Sequence, residues 1–210
     1  MVKVDQERFT EDFNKMLKIV PLNSLGFFFI GFLIPIITRT SMGATGIQLS
    51  LVVAIQVLGR VLGGFITGFI TDRVKSRTSL VLIGSFGRCL SYFIIFAGII
   101  TNLILLLGIG TFILGFMAGV FWVPFNTLVA EKSSKSHRSQ AYGKRDSFNA
   151  RGQILGALLG FGLLMFGGIF TSNPIILYGS IPLFGLSNLW AGIRFYNKID
   201  EKVIFEENLG

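Results

Sequence analysis

"GFITDRVKSRT", residues 68–78, packs Asp72, Arg73, Lys75 and Arg77 into a knot of six residues between two long apolar runs. From Ser41 up to this stretch the only charged residue is Arg60, and from Ser79 to Thr101 the only one is Arg88. A helix needs ~20 apolar residues to cross a hydrocarbon core ~30 Å thick. Ionisable groups are expensive inside that core. A knot of charge between two such runs therefore reads as a short loop joining two membrane helices.

The gaps between charges give the other spans in the same way. Residues 19–38 are uncharged and make a first span, 46–71 a second and 79–100 a third. No Asp, Glu, Lys, Arg or His occurs from 89 to 130, a stretch too long for one helix, and Thr101-Asn102 is its one plausible turn. Residues 152–193 form another long uncharged stretch, broken at "TSNP" (171–174), where proline disfavours helix continuation. Six spans result. The composition agrees: 51% of the 210 residues are hydrophobic and 14% charged, against about 25% charged in soluble domains. A single cysteine, Cys89, excludes an intramolecular disulfide and any metal cluster built on several thiolates. No cofactor or metal is called for.

The net charge of +8 gives no reason to invoke nucleic acid, because its placement is a topology signal. Lys3, Arg8, Lys15 and Lys18 precede span one. Arg73, Lys75 and Arg77 lie between spans two and three. Lys132, Lys135, Arg138, Lys144, Arg145 and Arg151 lie between four and five, and Arg194, Lys198 and Lys202 end span six. All fall on one side, with only Arg39 on the other. Both termini are therefore expected to face the cytoplasm, in a multi-pass protein of the cell membrane. Residues 1–18 are too charged for a secretory signal. They read as an amphipathic lead-in at the membrane surface, with Phe9, Phe13, Met16 and Leu17 at near-helical spacing, or else as a disordered tail.

The chain also echoes itself. "LGFFFIGFLIPIIT" from Leu25 matches "LGFMAGVFWVPFNT" from Leu114, and "VLGRVLGG" from Val57 matches "ILGALLGF" from Ile154. Spans one and two thus resemble four and five. Because three spans separate the copies, the second unit enters the membrane from the opposite side, as an inverted repeat does. Gly59/Gly63, Gly64/Gly68, Gly115/Gly119, Gly152/Gly156 and Gly156/Gly160 are small-xxx-small pairs that suit close helix contact.

The opening stretch resembles the signature of the major facilitator superfamily between its second and third spans, Gly-x-x-x-Asp-Arg-x-Gly-Arg-Arg/Lys. Gly68, Asp72, Arg73 and Arg77 match it, whereas Lys75 and Ser76 depart from it. A partner motif, Glu-x6-Arg, follows span four as Glu131 to Arg138, and "RSQAYG" (138–143) is similar to the entry of the family's fifth span. The resemblance covers about residues 19–196, one six-helix half of the usual twelve, and residues 197–210 resemble the start of the family's central cytoplasmic loop. It implies an all-α integral membrane fold, one half of a major facilitator fold, built from two inverted three-helix repeats with both termini cytoplasmic. It implies alternating-access transport of a small solute, as a homodimer or with a second six-helix half. It also implies that Gly68, Asp72, Arg73, Arg77, Glu131 and Arg138 act as a gate that latches the cytoplasmic side.

Arg60 lies twelve residues before Asp72, about 18 Å along a helix axis and so near mid-bilayer. Burying it there costs roughly 2.5–3.5 kcal/mol on insertion scales, so a partner or a water-filled cavity is expected. Gln56, Arg60 and Thr67 share one face of span two. By resemblance, spans one, two, four and five line the central cavity, where Asn23, Trp122, Asn126, Asn149 and Gln153 join Arg60 and Gln56 as candidate lining residues. A cation among amides without an acid suits an anionic or polar substrate. The alternative for Arg60 is an ion pair with a carboxylate elsewhere. Arg88, on a span peripheral in the family, is expected to snorkel or to pair inside the bundle. No span carries Asp or Glu, which leaves no intramembrane carboxylate to relay protons or hold a cationic drug. The only histidine, His137, lies in a loop and no Walker motif is present, so enzymatic chemistry has no visible support. The competing class is a non-transporting membrane scaffold or assembly protein.

Overall fold

The computed structural model describes residues 8–74 and 76–205. Lys3, Lys75, the first seven residues of the lead and the last five of the tail lie outside the described residues. Six helical spans are long and apolar enough to cross a membrane: Phe13–Thr40, Gly46–Thr71, Arg77–Ile100, Ile104–Glu131, Lys135–Phe170 and Pro174–Lys198, numbered here one to six. No strand occurs among the described residues.

Local chemistry sets the boundaries. Span two opens on a capping box: the Thr45 hydroxyl accepts from the Gln48 amide at 3.3 Å, and the Gln48 side chain accepts from the Thr45 amide at 2.9 Å. The turn between spans three and four places Asn102 at φ 54°, a left-handed conformation that asparagine tolerates. Asn173 caps the start of span six through the Ile175 amide, with Pro174 in the first helical turn. Both turns expected inside the long uncharged stretches are thus present. Span five departs from expectation. Its main helix starts at Arg138 and runs 33 residues to Phe170, about 50 Å, so the polar stretch 138–151 extends the same helix beyond the apolar part. Span one is the irregular element, broken into Phe13–Leu17, Val20–Ser24 and Phe27–Thr40 near Pro21 and Gly26.

Span four packs between spans two and three, span three packs against six, and span one packs against five and six. Two of these contacts are backbone-to-backbone. A Cβ on Gly59 or Gly63 would collide with the Phe112 or Phe116 carbonyl of span four, and one on Gly115 with the Gln56 carbonyl of span two. Across the bundle, a Cβ on Gly152 or Gly156 would collide with the Pro21 or Leu25 carbonyl of span one. Gly64 joins the seam between spans two and four through its backbone nitrogen, which a Cβ on Gly119 would strike, but Gly68 does not. Space around Gly68 is open, with no atom within 4 Å of a Cβ placed there.

The interior consists of two apolar clusters with a polar layer between them. One gathers Phe13, Met16, Leu17, Val81, Phe125 and Phe195 at the end rich in basic residues; the other gathers Phe29, Leu33, Tyr92, Ile95, Leu114 and Phe184. Along each inner span the residues between the clusters are polar: Asn23 and Ser24 on span one, Ser85 and Arg88 on three, Asn188 on six, all buried. The lead belongs to the first cluster. Its expected place on a membrane surface is corrected: Phe9, Phe13, Met16 and Leu17 are buried against protein. Their apolar face is held there because Thr10 N–H donates to Lys132 O at 3.0 Å and Ser134 N–H to Arg8 O at 3.0 Å.

Candidate functional site

Two groups of polar side chains stand out, one in the middle layer and one at the basic end. The middle group surrounds a cavity of about 60 Å³ lined by Ser24, Phe27, Arg60, Arg88, Trp122, Asn149 and Gln153. Span three presents Arg88 inward because Gly84 and Gly87, on the same face, let span four approach at Phe121 and Met117. Its side chain is 1% exposed. Nη2 donates to the Asn23 carbonyl at 3.1 Å and the guanidinium lies 5.6 Å from the Phe121 ring centroid. Nε and Nη1 make no hydrogen bond of ordinary geometry, nor does the Asn23 side-chain amide, although the buried Tyr92 hydroxyl lies against the same guanidinium. Arg60 reaches the same cavity from span two, with its guanidinium 5.7 Å from the Phe27 ring centroid. Ser24 donates to Asn149 Oδ1 at 2.6 Å. No carboxylate lines this cavity. A buried polar group without a partner costs about 1–3 kcal/mol, more when charged, and Ser85 Oγ, the Tyr92 hydroxyl and Asn188 Oδ1 of the same layer lack one too.

The basic end is organised differently, for Arg77, Lys132 and Glu201 are each held by partners within the fold. Arg77 pairs with Glu131 at 2.5 Å. The Lys132 ammonium, fully buried, donates to Asp12 at 2.6 Å and to the carbonyls of Asp200 and Val203 at 2.7 and 2.8 Å. It thereby ties the lead and the tail to the end of span four. Glu201 of the tail caps span three. It accepts from the Arg77 and Thr78 amides at 2.8 Å each, from Ser76 at 2.9 Å, and from the Thr78 hydroxyl. Burial works to raise its pKa, but these hydrogen bonds outweigh burial and hold the carboxyl below its ordinary value.

Comparison with known families decides the membership. The family model of the Major Facilitator Superfamily matches residues 20–203. The chain belongs to the Major Facilitator Superfamily. Membrane transport is the general activity that this membership carries, and the chain is a multi-pass membrane protein of that class. A search of the curated proteins found no match.

In this superfamily bundle the candidate gate residues divide. Arg77 and Glu131 meet as an ion pair, whereas the side chains of Asp72 and Arg73 are exposed and make no hydrogen bond or ion pair among the described residues. Asp72 sits at the C-terminal end of span two. The anion at the start of span three is Glu201. Arg138 is exposed at the first residue of the main helix of span five, and Gly68 faces open space. The candidate cavity residues divide too. Arg60, Trp122 and Gln153 line the central cavity, and Gln56 lines the compartment next to it. Asn23 is buried beside it, holding Arg88 by its carbonyl. Asn126 does not line it: its Oδ1 accepts from Arg145 and its carbonyl accepts from the Tyr142 hydroxyl at 3.1 Å. Arg88 was expected to snorkel or pair, and it does bond inside the bundle, but to a carbonyl and a ring rather than to an acid. Glu201, Lys132 and Asp12 carried no motif. Asn149 was visible only as an amide on a cavity-lining span.

Proposed function

We propose that this protein carries a small anionic solute across the cell membrane by alternating access, together with a second copy of itself or a second six-span half. One observation carries the reading: two arginines line one mid-span cavity without a carboxylate, and one of them is buried with two unpartnered nitrogens. In oil such an arrangement is stabilised by an anion with acceptor oxygens. A carrier needs no reacting group, so the protein acts as a transporter rather than an enzyme.

The same proposal sets both termini in the cytoplasm, on the strength of the basic residues gathered at one end. It takes spans one to three and four to six as inverted repeats. Exchanging one with four, two with five and three with six turns the contacts two–four, three–four and three–six into five–one, six–one and six–three, all of which are present. Asp72 and Arg73, exposed at the end of span two, are the gate groups that engage the second half on the cytoplasmic side, with Arg138 at the first residue of the main helix of span five.

The experiment is a thermal-shift panel of anions and neutral solutes on the purified protein in detergent, comparing wild type with Arg60→Gln and Arg88→Gln. Anions are expected to stabilise wild type and to lose their effect in both variants. An unchanged response in both variants removes the arginines from the site. For the gate, Asp72→Asn is expected to insert and fold normally but to abolish uptake into vesicles; normal uptake sinks the latch.

A further inference from the structure

The cavity of Arg60 and Arg88 adjoins a second one of about 160 Å³, and Arg60 and Phe27 line both. The second compartment is walled by Gly31, Val57, Leu114, Gly115 and Ala118, and Gln56 is its one other polar side chain. One compartment therefore concentrates cationic and amide groups, and its neighbour is a small apolar recess that shares the Arg60 guanidinium with it and opens along the exposed Gly31, Val57 and Arg60.

We infer that the transported anion is an organic carboxylate with a compact apolar body. Its carboxylate sits between Arg60 and Arg88, and its hydrocarbon part occupies the second compartment. This rests on the anion reading above and narrows it to a chemical class. A carboxylate meets the unpartnered Nε and Nη1 of Arg88 as charge-assisted hydrogen bonds, the strong class. Asn149 and Gln153 supply further amides at the same place. A halide, nitrate or phosphate satisfies the arginines but leaves the apolar recess unused. A dicarboxylate puts its second charge where Gln56 is the one polar group besides Arg60, a costly burial. A single acid head with an alkyl or aryl tail satisfies both compartments.

The probes are chloride, phosphate, acetate, butyrate and succinate, titrated onto the full chain purified in detergent, with binding read by calorimetry and thermal shift. Each methylene buried in the second compartment is expected to tighten binding about fourfold, so butyrate binds about fifteenfold tighter than acetate. Gly31→Leu adds a side chain at the wall of that compartment, where a Cβ meets no atom within 4 Å. The variant is expected to keep acetate binding within about twofold and to erase the advantage of butyrate. Equal affinities across the aliphatic series, or tighter binding of phosphate or succinate, overturn the inference while leaving the anion reading intact. Equal loss of acetate and butyrate in Gly31→Leu overturns it as well. Absence of binding by every anion overturns both readings together.

Discussion

The basic end and the middle layer use the same kinds of residue to opposite effect. At the end, Lys132 is fully buried and donates to three acceptors on two different segments. In the middle, Arg88 is equally buried and donates to one carbonyl, with Nε and Nη1 unpartnered. A buried cation with its acceptors supplied by the fold is a fastener. A buried cation lacking them is a cost carried by the fold, and such costs persist at sites that bind something. Burial alone does not distinguish structural from functional charge; the tally of acceptors does.

The contrast breaks most visibly at Lys132. Lys132→Ala leaves Asp12 and two carbonyls without their donor, and is expected to cost about 3–5 kcal/mol, read as a lowered melting temperature and early proteolytic release of lead and tail. A near-native melt removes Lys132 from its role as fastener. The opposite sign is expected at Arg88. Arg88→Met removes an under-satisfied buried charge, so the ligand-free melt stays level or rises. The roughly 2.7 kcal/mol of stabilisation that anion gives wild type at a hundredfold excess over Kd disappears. A ligand-free melt falling as far as that of Lys132→Ala would make Arg88 a structural group too.

Glu201 provides a smaller and pH-tunable version. Its carboxyl is held below the ordinary glutamate value when folded, so its contribution is complete above the unfolded glutamate range, about pH 4.3. It is lost as pH falls through the lower, folded value. Glu201→Gln is expected to cost about 1 kcal/mol at neutral pH, the scale of a helix cap. It should also flatten the acid dependence of hydrogen exchange in the first turn of span three. Acid dependence equal to that of wild type would place the titrating group elsewhere. Smallest of all is the effect of Asp72→Asn on the melt, expected within about 0.5 kcal/mol because Asp72 is exposed and unpaired. A larger drop would show that it already holds the bundle together.

The division also explains what could be read from the sequence. Spans and turns were legible because charge is confined to helix ends by the cost of burying it, and span two was expected at its observed limits, Gly46–Thr71. Arg60 was legible as a lone charge in an apolar run. Arg88 looked identical in sequence, but its inward turn depends on Gly84 and Gly87 admitting span four, and its partner is a backbone carbonyl that any residue would offer. Asn126 is a cavity candidate by resemblance because it lies on span four, yet Arg145 on span five occupies its oxygen. The Glu201 cap joins groups more than 120 residues apart, and no local pattern announces such a contact. Motif reading placed Arg77 with Glu131 correctly. The acid that caps span three lies outside the family signature and arrives from the tail.

The glycine seams limit how this molecule can move. Where Gly59 and Gly63 meet span four, and Gly152 and Gly156 meet span one, peptide planes touch with no side chain to act as a roller. Helices joined in this way cannot slide in small increments, so each pair tilts as one plank. Bending is left to the part of span one outside that seam, where its winding breaks between Leu17 and Val20.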